Sequence, residues 1–169
     1  TLEFLKLQGG FRSIQTFGTA HLGGSIFITG ESLLKATNCW FYENKAYRGG
    51  SIYSGTNALA QIELLDTDIT KNTVQNHGGA LMMTYGNLKI TNGKIQDNQA
   101  GTNGVGGGMR LEYVKGTVVR TKFVNNKGKR GGAVSILGHN NDIGKANLLI
   151  SNAMIEGNQA SDRGGAVSA

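Results

Sequence analysis

The chain has 169 residues, 27 of them glycine and none proline, with 38% hydrophobic residues and a formal net charge of +6. Apolar residues at regular positions exclude a disordered tail, and no run approaches the ~18 apolar residues of a membrane helix. The single cysteine, Cys39, excludes an internal disulfide framework.

The opening Thr1-Leu2-Glu3-Phe4-Leu5-Lys6 has no charged lead and no cleavage site, so no secretion signal is legible. Residues 1–22 hold at best a degenerate or incomplete first coil, with Ile14-Gln15-Thr16-Phe17 as the nearest approach to a repeat. The repeat proper begins at Gly23-Gly24-Ser25-Ile26.

From there a seven-residue frame returns five times: a leading residue that is polar, two variable residues, Phe or Ile, two more, and Asn. It runs from Asn38 through Phe41 to Asn44, from Asp66 through Ile69 to Asn72, and from Asn92 through Ile95 to Asn98. Arg120 through Phe123 to Asn126 and Asn152 through Ile155 to Asn158 complete the set. The closing Asn recurs at intervals of 28, 26, 28 and 32 residues (44, 72, 98, 126, 158). After each frame comes a glycine pair and a step to an apolar residue: Gly49-Gly50-Ser51-Ile52, Gly78-Gly79-Ala80-Leu81, Gly106-Gly107-Gly108-Met109, Gly131-Gly132-Ala133-Val134 and Gly164-Gly165-Ala166-Val167. A fixed period with fixed turn chemistry specifies a stacked repeat rather than one globular core.

Within each repeat the apolar residues alternate at a spacing of two, which is the strand period. Ile62 and Leu64 precede one frame and Leu88 and Ile90 the next, while Leu81 with Met83 and Met109 with Leu111 follow glycine pairs. Three short strands in ~28 residues cannot close a core alone, but coils stacked in parallel bury a continuous column. The expected fold is therefore all-β, a right-handed single-stranded parallel β-helix of about six coils of three short strands, handed by the crossover rule. At ~4.8 Å between paired strands the rod is roughly 29 Å long. Residues 23–169 form this β-helix, and the repeat opened at Gly164 reads as part of a longer chain.

Each turn exposes backbone groups that need partners. Asn44, Asn72, Asn98, Asn126 and Asn158 are expected to supply them as a stacked amide ladder. Cys39 occupies the slot filled by Thr67, Gly93, Thr121 and Ala153, so it reads as a small inward filler rather than a reactive thiol.

The paired motifs, Gly131-Gly132-Ala133-Val134 and Gly164-Gly165-Ala166-Val167 with Phe41-Tyr42-Glu43-Asn44 and Phe123-Val124-Asn125-Asn126, resemble the repeats of chlamydial polymorphic outer-membrane proteins. Similar repeats occur in large proteins of ciliates and other protists. The resemblance spans residues 23–169, with Ile replacing Phe in three frames and Ser or Gly108 replacing Ala after three glycine pairs. It implies an autotransporter-like passenger or an extracellular scaffold, at the cell surface or secreted, and it carries no catalytic residues.

A search for chemistry agrees. β-Helices also host polysaccharide lyases and hydrolases, which need clustered carboxylates on one outward face. Here the column after the glycine pairs reads Phe27, Tyr53, Met82, Arg110, Ser135, and offers none. Asp66 holds a frame position and reads as a turn residue, and His21, His77 and His139 lack metal spacing. No enzyme, metal or cofactor is expected. The expected functions are adhesion or scaffolding, then a structural spacer or docking element in a larger assembly, with a polysaccharide enzyme third.

Two surfaces stand out as binding candidates. Phe27, Tyr53 and Met82, continued by Arg110, would stack into an exposed apolar stripe. Lys127, Lys129, Arg130 and Arg163 would form a basic edge beside a long loop from Gly138 to Lys145, suited to other proteins or anionic glycans. Nucleic acid is not expected, because no binding motif accompanies the charge. The remainder of a longer chain is a further expected partner.

Overall fold

A computed structural model describes residues 1–3, 5–9, 21–55, 59–138 and 146–169. The Ile14–Phe17 stretch, His139 and residues 139–145 of the long loop lie outside the described residues. Every strand pair is parallel, and the sheets together form an all-β solenoid of about four turns, with no helix among the described residues.

The frame residues make one six-stranded sheet. Its strands stack in the order Lys6–Gln8, Trp40–Tyr42, Asp68–Thr70, Lys94–Gln96, Lys122–Val124 and Met154–Glu156. Register is kept throughout, with Leu7, Phe41, Ile69, Ile95, Phe123 and Ile155 directly above one another. Phe41, Ile69, Ile95 and Phe123 are at most 1% exposed. Ile155, in the same column, is 38% exposed, because its strand lies at the edge of the described sheet and is paired on one side only.

Strands after the glycine pairs and strands before the frames share a second, ten-stranded sheet. In two coils these strands are fused, into Leu81–Thr91 and Met109–Val119, where separate short strands joined by a loop were expected. The bend is made within the strand by Tyr85 and Tyr113, both at positive φ, and their rings stack at 4.8 Å. A third ladder follows the ladder Asn, pairing Lys45–Ala46 with Thr73–Val74 and Lys127–Arg130 with Gln159–Arg163, linked through Gln99.

Besides the bends at Tyr85 and Tyr113, three corner positions recur left-handed from coil to coil, and this explains the residue types. The leading residue of every frame, Asn38, Asp66, Asn92, Arg120 and Asn152, has φ between 48° and 57°. Asn and Asp tolerate that region better than other L-residues, so the slot is polar for a backbone reason. The residue before each ladder Asn repeats the conformation at Glu43, Lys71, Asp97, Asn125 and Gly157. The first glycine of each pair is the third.

The two glycines of a pair answer different constraints. Gly78 sits at φ 69°, where a Cβ would lie 2.9 Å from the Met82 Cβ. Gly79 has ordinary φ, but a Cβ there would run into the Gly107 carbonyl of the next coil and stand 2.8 Å from the Gln99 nitrogen. Gly165 holds the equivalent position in the last coil, and its Cβ would meet only the Asn158 oxygen, at 3.6 Å.

The difference is testable in urea melts. Gly79→Ala should cost at least the roughly 1–3 kcal/mol of an overpacked core. Gly165→Ala should stay within about 0.5 kcal/mol. Equal losses at the two sites would show that the close approach of coils is not what demands glycine.

Candidate functional site

Inside the corner after the frame sheet, the ladder asparagines saturate one another. Asn72 Nδ2 donates to the Phe41 carbonyl of the coil before it (3.2 Å) and to Asn98 Oδ1 of the coil after it (2.9 Å). The Asn72 backbone N–H also donates to Asn98 Oδ1, at 2.9 Å. In turn Asn72 Oδ1 accepts the Asn44 backbone N–H (2.8 Å) and Nδ2 (3.0 Å). The pattern continues from Asn98 to Asn126 at 3.0 Å and from Asn126 to Asn158 at 2.9 Å. An amide has two donor hydrogens and two acceptor lone pairs, and all four are used at Asn72. No other side chain of this size does both.

Cys39 is buried, with its thiol toward the Thr37 (3.3 Å) and Leu2 (3.5 Å) carbonyls. In the next coil Thr67 Oγ1 donates to the Leu65 carbonyl at 2.9 Å, and Thr121 Oγ1 does the same to the Val119 carbonyl at 3.1 Å, while Gly93 and Ala153 fill the slot by size alone.

The apolar stripe requires correction. Phe27, Tyr53, Met82 and Arg110 do lie in one register column. Phe27 is 48% exposed, but Tyr53 and Met82 are only 5% and 3% exposed. Tyr53 lies between Phe27 and Met82 in the column and Met82 between Tyr53 and Arg110, whereas Phe27 has a register neighbour on one side only among the described residues. A Cβ on Gly49 would lie 2.9 Å from the Tyr53 Cβ, and one on Gly55 would lie 3.3 Å from the Tyr53 ring. Phe27 stacks on Tyr53 at 5.7 Å and ends the column.

Arg110 is likewise enclosed rather than displayed. Its Nε meets Glu112 Oε1 at 3.0 Å, and a second guanidinium nitrogen donates to Ser135 Oγ at 2.6 Å. Nearby, His77 Nδ1 accepts the Val105 N–H at 3.1 Å. Burial first, and then the Arg110 and Arg48 cations, hold the His77 imidazole below its usual range, with Glu112 opposing. Buried atoms of Arg48 (Nε) and His21 (Nε2) in this region have no hydrogen-bond partner.

The basic edge is brought together, but not as free charge. Arg130 and Arg163 are register neighbours. Asp162, which sequence reasoning passed over, takes Arg130 Nε at 2.8 Å and lies 3.7 Å from Arg163 Nε. The Arg130 hydrogen bond holds the Asp162 carboxyl below its usual range. Lys129 Nζ donates to Asn103 Oδ1 at 3.3 Å, and Lys127 is exposed beside Gln99 and Gln159. Strand alternation sets Asp162 and Arg163 on opposite faces, and the register shift between Gly128 and Arg130, which no repeat in the sequence marks, is what accompanies their meeting.

On the frame sheet, Trp40 is 39% exposed and donates through Nε1 to Thr70 Oγ1 at 2.8 Å. Burial raises the carboxyl of its neighbour Asp68, against Lys94 and Lys122, which lower it. Among the described residues no group of three or more His, Cys, Asp or Glu is placed to share a metal ion. No helix among them is long and apolar enough to cross a membrane.

Asn98→Ala removes the acceptor of two Asn72 donors and the donor to the Ile69 carbonyl (2.9 Å). With ~1–3 kcal/mol for each buried group left unpaired, it should cost about 3 kcal/mol or more in urea melts. Asn158→Ala, where water reaches the corner, should cost less than half as much. For His77 the sign follows from its lowered value. Above pH ~6.5 both folded and unfolded imidazoles are neutral, and as pH falls the unfolded chain binds the proton first. Stability should therefore decline as pH drops below about 6.5, and His77→Gln should flatten that part of the profile relative to the parent chain.

No protein-family model, curated protein or solved structure matches this chain.

Proposed function

We propose that this chain is a non-catalytic β-helical module of a large cell-surface or secreted protein, serving adhesion or an extracellular scaffold. In this reading it is a right-handed parallel β-helix of about six coils, counting partial ones. The six strands of the frame sheet support the number, and the crossover rule supports the hand.

One observation carries the reading: the buried asparagines spend their hydrogen bonds on neighbouring coils, in register, from Asn44 to Asn158. A rod built that way is rigid along its length, while its outward columns vary freely from coil to coil. Rigid display of a variable surface is what an adhesin or scaffold needs. The likeness of the repeats to chlamydial and protist surface proteins points the same way.

An antibody raised against this segment should label intact, unpermeabilised cells or the surrounding medium of the organism that makes it. Label seen only after permeabilisation would overturn the reading. So would turnover of pectic or other acidic polysaccharides by the purified chain above the rate in buffer.

A further inference from the structure

Two concavities of the described surface, of about 550 Å³ and 390 Å³, lie on the same corner of the rod at successive heights. Both sit on the outside of the turn whose inside holds the asparagine ladder. The first is lined by Gly9, Glu43, Lys45 and Lys71, and the second by Asp97, Gln99, Asn125, Lys127, Gly157 and Gln159, with Asn98 of the ladder between its walls. Apart from Asn98 these residues belong to two columns. One wall is the left-handed corner position, Glu43, Lys71, Asp97 and Asn125. The other is the ladder after it, Lys45, Thr73, Gln99, Lys127 and Gln159, paired in parallel from coil to coil.

We propose that this corner is one lengthwise groove and that it binds a linear, neutral or sparsely charged polysaccharide laid along the rod. The inference rests on the reading of the chain as a surface or secreted module. Three features of the groove select that ligand. First, its polar groups recur at the ~4.8 Å spacing of stacked strands, close to the advance of one pyranose unit in an extended chain, so each coil can meet one sugar. Second, Gln99, Asn125 and Gln159 each pair a donor with an acceptor, which suits hydroxyl groups. Third, the Lys71 ammonium on the groove wall is held in place by the Tyr42 hydroxyl, to which it donates at 3.2 Å, and by the Tyr42 ring at 5.2 Å, so it stands as a fixed donor for a sugar oxygen.

Other partners fit less well. A protein interface needs large apolar anchors at its centre, and these walls carry none. A polyanion would meet Glu43 and Asp97 among the three lysines, which opposes the uniform neutralisation that phosphate or sulfate polymers require.

The test is calorimetric titration of the folded chain with a panel of neutral linear hexasaccharides (β-1,4-glucan, mannan, xylan and chitin types), the matching disaccharides, and a heparin hexasaccharide. At least one neutral hexasaccharide should bind tenfold or more tightly than its disaccharide, with little dependence on salt. Gln99→Trp, which fills the groove from an exposed position, should weaken that binding at least tenfold, while Lys115→Trp, exposed on another face, should not. If Gln99→Trp lowers the circular-dichroism melt, the pair Asn125→Gly with Gln159→Ala should give the same loss, glycine being the residue that holds the same left-handed slot at Gly157. Failure of every neutral hexasaccharide, preference for heparin, or binding that survives a filled groove would each overturn the inference. Surface labelling tests the module reading separately, so the two can fail independently.

Discussion

Everything in this molecule depends on keeping successive coils in parallel register at a corner that is buried from Asn44 to Asn126. A strand leaving the sheet there exposes backbone groups with no partner in its own coil, and burial makes each unpaired one costly. The asparagine ladder satisfies them from the coils on either side, with spacings of 2.9–3.0 Å from Asn44 to Asn158. Because the amides meet only when the coils are in phase, the same bonds that satisfy the corner also set the register of the frame sheet. Phe41, Ile69, Ile95 and Phe123 then fall directly over one another and close the core.

That constraint decides where the chain tolerates change. The interval between ladder residues varies from 26 to 32, yet the amide contacts hardly vary. Extra residues are taken up away from the corner, between the glycine strand and the strand before the frame, or in the turn before the glycine pair. The shortest interval, Asn72 to Asn98, contains the fused strand Leu81–Thr91. The next interval has the same fused arrangement but adds the turn of Gly101 to Gly104 before its glycines. Length is therefore free on one side of the rod and fixed on the other.

The outward columns show how local neighbours override simple exposure. Tyr53 and Met82 alternate with core residues, yet each is enclosed by register neighbours on both sides, while Phe27 at the end of the described column stays exposed. Arg130 and Arg163 are brought side by side by the third ladder, and the ladder brings Asp162 with them. What the rod presents outward is thus a set of small polar arrangements interspersed with apolar side chains such as Leu33, Leu65 and Leu149, rather than the expected stripe or one field of positive charge. The corner groove follows from the same geometry, since the left-handed residues that turn the ladder asparagines inward leave a cleft outside.

The sequence by itself determined the parallel repeat, the inward columns and the identity of the ladder residues. Each of these is a periodic demand, and periodicity survives in a linear string: an Asn or a Gly-Gly needed once per coil appears once per coil. It also marked the frame-leading slot as polar, though not why. Only in the folded chain are Asn38, Asp66, Asn92, Arg120 and Asn152 all seen to be left-handed, and a polar residue type alone does not reveal a backbone angle. Tertiary structure alone decided which outward residues stay exposed, where the strands fuse at Tyr85 and Tyr113, and which acid meets which arginine. Those outcomes depend on what the neighbouring coil and the glycine turn place within a few ångströms, and that differs from coil to coil with no period to read.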